Sequence, residues 1–98
     1  MKFFKSLLLT ISLSSVLTTA FAANVCADLS VAKNYKKAVP ACTKQANEGD
    51  NEAQYNLALI YHHGEGVLQD YKQAIYWYTK AAEQGLAEAQ FNLASLYY

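Results

Sequence analysis

The sequence predicts an all-α fold of about two antiparallel helix pairs, and three observations carry that reading. The chain repeats itself at a spacing of 36 residues from Val31 onward, and apolar residues recur at helical spacing between glycines in equivalent places. The repeating part also follows a segment with the marks of a removable leader.

The leader comes first. Lys2 and Lys5 give a cationic start, Ser6 to Leu17 is apolar without charge, and Ala20-Phe21-Ala22 fits the small-x-small rule for signal peptidase. Residues 1–22 are therefore expected to be a signal peptide. Its apolar stretch of 12 residues falls short of the roughly 20 that a membrane-crossing helix needs, so a retained anchor is the weaker reading. Asn24 and Val25 are poor residues ahead of an acylated cysteine, so Cys26 reads as an ordinary residue of the mature chain. The expected location is the periplasm, with secretion as the alternative.

Cleavage leaves 76 residues, one small domain with a modest core. It keeps six lysines, no arginine and eight acidic residues, a formal charge of −2. That balance argues against nucleic acid, whose phosphates call for basic patches. Cys26 and Cys42 are the only cysteines, and in an oxidising compartment an even count points to a disulfide. Such a bridge would tie an irregular N-terminal segment, residues 23–34, onto the first helix, adding about 3 kcal/mol by chain entropy. A metal or redox pair would want the close Cys-x-x-Cys spacing, which is missing.

The repeat domain is placed at residues 35–98. Laid over itself, the chain matches Tyr35-Lys36 with Tyr71-Lys72, Ala38 with Ala74, Thr43-Lys44 with Thr79-Lys80, Ala46 with Ala82 and Gly49 with Gly85. The match continues through Glu52-Ala53-Gln54 with Glu88-Ala89-Gln90, Asn56-Leu57-Ala58 with Asn92-Leu93-Ala94, and Tyr61 with Tyr97.

Taking the elements in order, Ser30 or Asn34 is expected to cap the first helix. Pro40 is expected to kink it or leave a carbonyl unpaired, because proline brings no N–H. Gly49 closes that helix, and the next runs from about Asn51 to His62 with Glu52 in its first turn. Ala53, Leu57, Ala58 and Tyr61 form its inner stripe. Asp70 caps a helix from Tyr71 to about Gln84 whose stripe is Tyr71, Ala74, Ile75, Tyr78 and Ala82, with Trp77 and Ala81 beside it. Gly85 ends it, and the last helix runs from about Ala87 to Tyr97 with Glu88 in its first turn. The alanines allow close helix crossings.

Ala53 to Tyr61, Gly64-Glu65-Gly66-Val67, Asp70-Tyr71-Lys72, Ala74, Trp77-Tyr78 and Lys80 to Gly85 together resemble one complete repeat of the Sel-one-like family, a cousin of the tetratricopeptide repeats. The resemblance implies an α/α superhelix of stacked helix pairs and the work of a non-catalytic adaptor or scaffold for protein complexes. Ala58 and Ala94 stand where that family usually has glycine, a departure a small side chain tolerates.

His62-His63 suggests a metal site, but adjacent helix positions point about 100° apart and no third ligand follows at helical spacing, so helix-end histidines are the plainer reading. Gly64-Glu65-Gly66 lacks the lysine and preceding strand of a phosphate cradle and reads as a turn. Ser30-Val31-Ala32-Lys33 has the Ser-x-x-Lys form of penicillin-recognising enzymes, and some cysteine-rich relatives of the repeat family carry a β-lactamase label. The other motifs of that chemistry are missing, so a cell-wall or β-lactam hydrolase stays the alternative to a scaffold. No catalytic, metal or cofactor residue is expected. The partner-binding candidates are Tyr55 and Phe91 with Asn56 and Asn92, which repeat along one face and combine aromatic area with amides able to bond a peptide backbone. The partner is expected to be a protein or peptide. Leu93, Leu96 and Tyr97 are expected to present an uncovered stripe, open to a second copy, a partner or a further repeat.

Overall fold

A computed structural model describes residues 25–97, so the expected signal peptide and its cleavage site lie outside the described residues. The described residues form five helices and no strand: α1 (Val25–Val31), α2 (Tyr35–Asn47), α3 (Asn51–His63), α4 (Tyr71–Glu83) and α5 (Ala87–Leu96). Each helix packs on the one before it, and α1 also touches α3.

Local chemistry sets the boundaries. The Asp50 carboxylate accepts from the backbone N–H groups of Glu52 and Ala53 at 3.0 and 3.4 Å, and Asp70 accepts from that of Gln73 at 3.1 Å. Each satisfies donors that a helix start leaves open. Gly49 and Gly85 end α2 and α4 at φ +97° and +93°, a region that favours glycine. The two turns repeat bond for bond. Gly49 N–H donates to Ala46 and Asp50 N–H to Gln45; Gly85 N–H donates to Ala82 and Leu86 N–H to Ala81.

The core is built from small side chains. Ala38, Ala46, Ala53, Ala58, Ala74, Ala81 and Ala89 are all buried, so the helices approach closely around Leu57, Ile60, Trp77 and Tyr78. Side chains repeat their bonds as the backbone does. Thr43 and Thr79 donate to the carbonyls of Val39 and Ile75 at 2.7 and 2.6 Å. Gln54 and Gln90 donate to those of Ala46 and Ala82 at 3.1 and 3.2 Å.

Four expectations need correcting. The N-terminal segment is not irregular: residues 25–31 form α1, fastened to α2 by the Cys26–Cys42 disulfide and by the Cys26 N–H, which donates to the Gln45 side chain at 2.8 Å. Neither proposed cap acts as one. Ser30 lies in the last turn of α1 and donates back to the Cys26 carbonyl at 2.9 Å, while Asn34 occupies the N-cap position of α2 without a side-chain bond. Pro40 sits inside an uninterrupted α2 on its exposed side, next to water that can satisfy the carbonyl it leaves unpaired. Finally, α4 buries Ala74, Trp77, Tyr78 and Ala81, whereas Tyr71 is 52% exposed. The inner stripe is rotated toward Trp77 because the largest ring takes the covered position.

Candidate functional site

Glu52, Tyr55, Asn56, Leu59 and His63 stand at i, i+3, i+4, i+7 and i+11 of α3, and helical geometry puts them on one face. Two hollows border that face. One, of about 280 Å³, lies toward α5 between Glu52, Tyr55, Asn56, Leu86 and Glu88. The other, of about 340 Å³, lies toward α1 and includes Ser30, Val31, Tyr35, Leu59, His63 and Glu65. Asn56 lines both, so the two hollows adjoin at that residue along α3, and the groove is the pair of them.

The expected partner-binding residues separate in this setting. Tyr55 is half-buried, its ring 6.0 Å from that of Tyr78, and its hydroxyl accepts from the Asn92 amide at 3.2 Å. Asn56 directs its amide toward Cys26 Sγ at 3.9 Å. Each asparagine therefore reaches back past its neighbour to the helix two before its own, Asn92 from α5 to α3 and Asn56 from α3 to α1. Phe91 stands apart, 74% exposed on α5, and lines neither hollow. The sequence reading missed Leu86 and Leu59 as groove residues and assigned Glu52 and Glu88 only to the helix dipole. It also missed Gln54, whose buried amide bonds the Ala46 carbonyl while its Oε1 accepts from Gln84 at 2.8 Å. A glutamine kept at the equivalent positions 54 and 90, each time between an alanine and an aromatic residue, was the available signal.

At the His63 end the groove meets a cluster of rings. His62 Nδ1 lies 3.0 Å from the Tyr78 hydroxyl, and the two rings meet edge to face. Burial pushes the Tyr78 phenol up to about 12, with the Asn92 amide pulling the other way. Burial also holds the His62 imidazole below its ordinary value, and the neighbouring His63 adds to the effect. Contrary to expectation, the two imidazoles converge, stacked with centroids 4.7 Å apart. Side-chain rotamers bring them together although their Cα–Cβ bonds diverge. Among the described residues no three His, Cys, Asp or Glu side chains gather in a way that would hold a metal ion. On the other wall, Tyr35 and Glu65 line the same hollow, and hydrogen bonding toward that carboxylate, with burial and its charge, holds the Tyr35 phenol above its ordinary value.

The arrangement is suited to contact over an extended surface: apolar and aromatic floor, amides within reach, carboxylates at the ends. Ser30 contributes its proton to a bond within α1 in that helix's last turn, not at the helix start a Ser-x-x-Lys nucleophile occupies.

Comparison with known proteins agrees with this architecture. Residues 51–86 and 87–98 match the family described as Sel1 repeat, which places one full unit on α3 and α4 and the start of a second on α5. The crystal structure of a Sel1 repeat protein from Oxalobacter formigenes superposes with a TM-score of 0.60 at 32% identity, covering 85% of this chain. The chain spans 39% of that protein's length. No curated protein matches the chain.

Proposed function

The chain is a helical Sel1-like repeat protein, and from that premise we propose that it works as a non-catalytic scaffold or adaptor, holding a protein or peptide partner in the bacterial cell envelope. The single observation that carries this reading is the groove along α3, framed by α1 and α5 and floored by Tyr55, Leu59 and Ile60. Stacked helical repeats use such extended surfaces to hold other chains, where area and a few aromatic anchors give affinity without any reacting group.

In this reading residues 1–22 direct export and are removed, residues 23–34 close one end of the stack, and residues 35–98 are the binding domain. A periplasmic location is supported by the leader-like composition of those first residues and by the Cys26–Cys42 disulfide, a bond that persists in oxidising compartments. No helix among the described residues is long and apolar enough to cross a membrane. Tyr55, Asn56, Phe91 and Asn92 remain the proposed contact residues. Tyr55 and Asn56 line the groove, and Phe91 offers an exposed ring on α5, the helix that carries Glu88 of the groove rim. With Tyr97, 68% exposed, Phe91 also makes α5 the proposed surface for self-association.

The test is chemical cross-linking of the exported protein in intact cells. The parent chain should give a discrete adduct that fades in the folded Tyr55→Ala/Phe91→Ala variant and persists in Leu68→Ala, since Leu68 is exposed on the loop before α4 and lines neither hollow. Equal adducts in all three would refute this placement of the surface. N-terminal sequencing of the same preparation should begin at Ala23.

A further inference from the structure

The distribution of charge around the groove is uneven. Helices α3 and α5 carry no lysine, and apart from the two histidines their only ionisable groups that can hold charge near neutrality are Glu52 and Glu88. The six lysines outside the leader lie on α2, on α4 and at Lys33, and none lines either hollow. Glu52 and Glu88 come from equivalent places in successive units and border the same hollow, which Tyr55 and Leu86 also line. Both glutamates are exposed, and neither has a cationic partner among the described residues. At the far end of the groove a third carboxylate, Glu65, lines the hollow with Tyr35.

Resting on the scaffold reading above, we propose that the groove along α3 selects a partner segment in which lysine or arginine flanks apolar residues. The cation takes the Glu52 and Glu88 end, over the Tyr55 ring, while Leu59 and Ile60 receive the apolar side chains. The physics favours this occupant over a neutral or acidic one. Two unpaired carboxylates beside an aromatic face attract a cationic side chain through charge and through the ring quadrupole. Carboxylates at a groove rim act mainly on specificity and association rate and are sensitive to salt. An acidic segment would meet like charge at both ends of the groove.

Random-peptide phage selection on the disulfide-bonded chain, followed by affinity measurement on the winning peptides, tests this directly. The expected result is enrichment of peptides with Lys or Arg beside apolar residues. Their affinity should fall roughly fivefold to tenfold in Glu52→Gln/Glu88→Gln. It should also weaken as ionic strength rises from about 0.01 M to about 0.15 M, while Lys72→Gln/Lys80→Gln leaves it unchanged. Selected peptides without basic residues, yet lost in Tyr55→Ala, would overturn the charge preference and leave the scaffold reading intact. Basic peptides that bind the double glutamine variant as well as the parent would also overturn it, because the cation would then be read elsewhere. Failure to select any peptide would overturn both this inference and the peptide-binding role of the groove.

Discussion

The Gln54 side-chain amide donates to the Ala46 carbonyl at 3.1 Å, buried between α2 and α3, and the same bond recurs 36 residues later from Gln90 to Ala82. The two bonds share geometry and differ in surroundings: Gln54 is 4% exposed and also accepts from Gln84, whereas Gln90 lies open to water. Removing a buried partner leaves polar groups unsatisfied, while an exposed one is replaced by solvent. Gln54→Ala should therefore lower unfolding stability by about 1–3 kcal/mol and Gln90→Ala by less than about 1 kcal/mol, read by urea denaturation. Equal losses would show that the bond matters in the same way wherever it occurs.

Gly66 touches the wall of the groove more closely than any side chain allows. Its φ is +74°, and a Cβ placed there would come within 2.5 Å of Tyr35 Cβ. Gly49 has a similarly positive φ but open space around it. Gly49→Ala should cost about 1 kcal/mol through backbone conformation alone. Gly66→Ala should cost about 2–4 kcal/mol, because overpacking adds to it and displaces Tyr35 from Glu65. Thermal melts of the two variants separate the contributions, and matching melting temperatures would exclude the contact.

The His62 imidazole predicts the direction of a pH effect. Its pKa in the folded chain lies below the ordinary value, chiefly through burial. The unfolded chain thus binds the proton more readily, and the stability His62 supports is complete above its unfolded pKa of about 6.5 and declines as pH falls below that value. Melting temperature should drop between about pH 7.5 and about pH 5.5, a window above most carboxylate titration. His62→Gln should flatten that slope. A parent chain more stable at the acidic end would contradict the assignment.

Much of the fold was legible because the same residues had to solve the same packing problem twice. Paired glycines at 49 and 85, the Asp70 cap and the matched alanines identify turns, a helix start and close crossings without reference to anything distant in the chain. Helix α1 was not legible, since seven residues are too few to form a stable helix from propensity alone, and its fastening depends on Gln45 and Cys42 far along the chain. The covered face of α4 was misplaced because stripes through Tyr71 and through Trp77 satisfy the same period. The groove was half visible. Repetition picked out Tyr55, Asn56 and Asn92, yet the bond from Asn92 to Tyr55 joins different repeat positions in neighbouring units, which no comparison of equivalent residues displays.

The central claim is that the face built by α3 and α5 receives another polypeptide, and site-specific photo-cross-linking tests it most directly. A photoreactive phenylalanine analogue is placed at Phe91 on α5 or at Leu68 on the loop before α4, both highly exposed, in the exported full chain. The prediction is a defined polypeptide adduct from position 91 and none from position 68. Adducts from position 68 alone, or the same products from both positions, would contradict it.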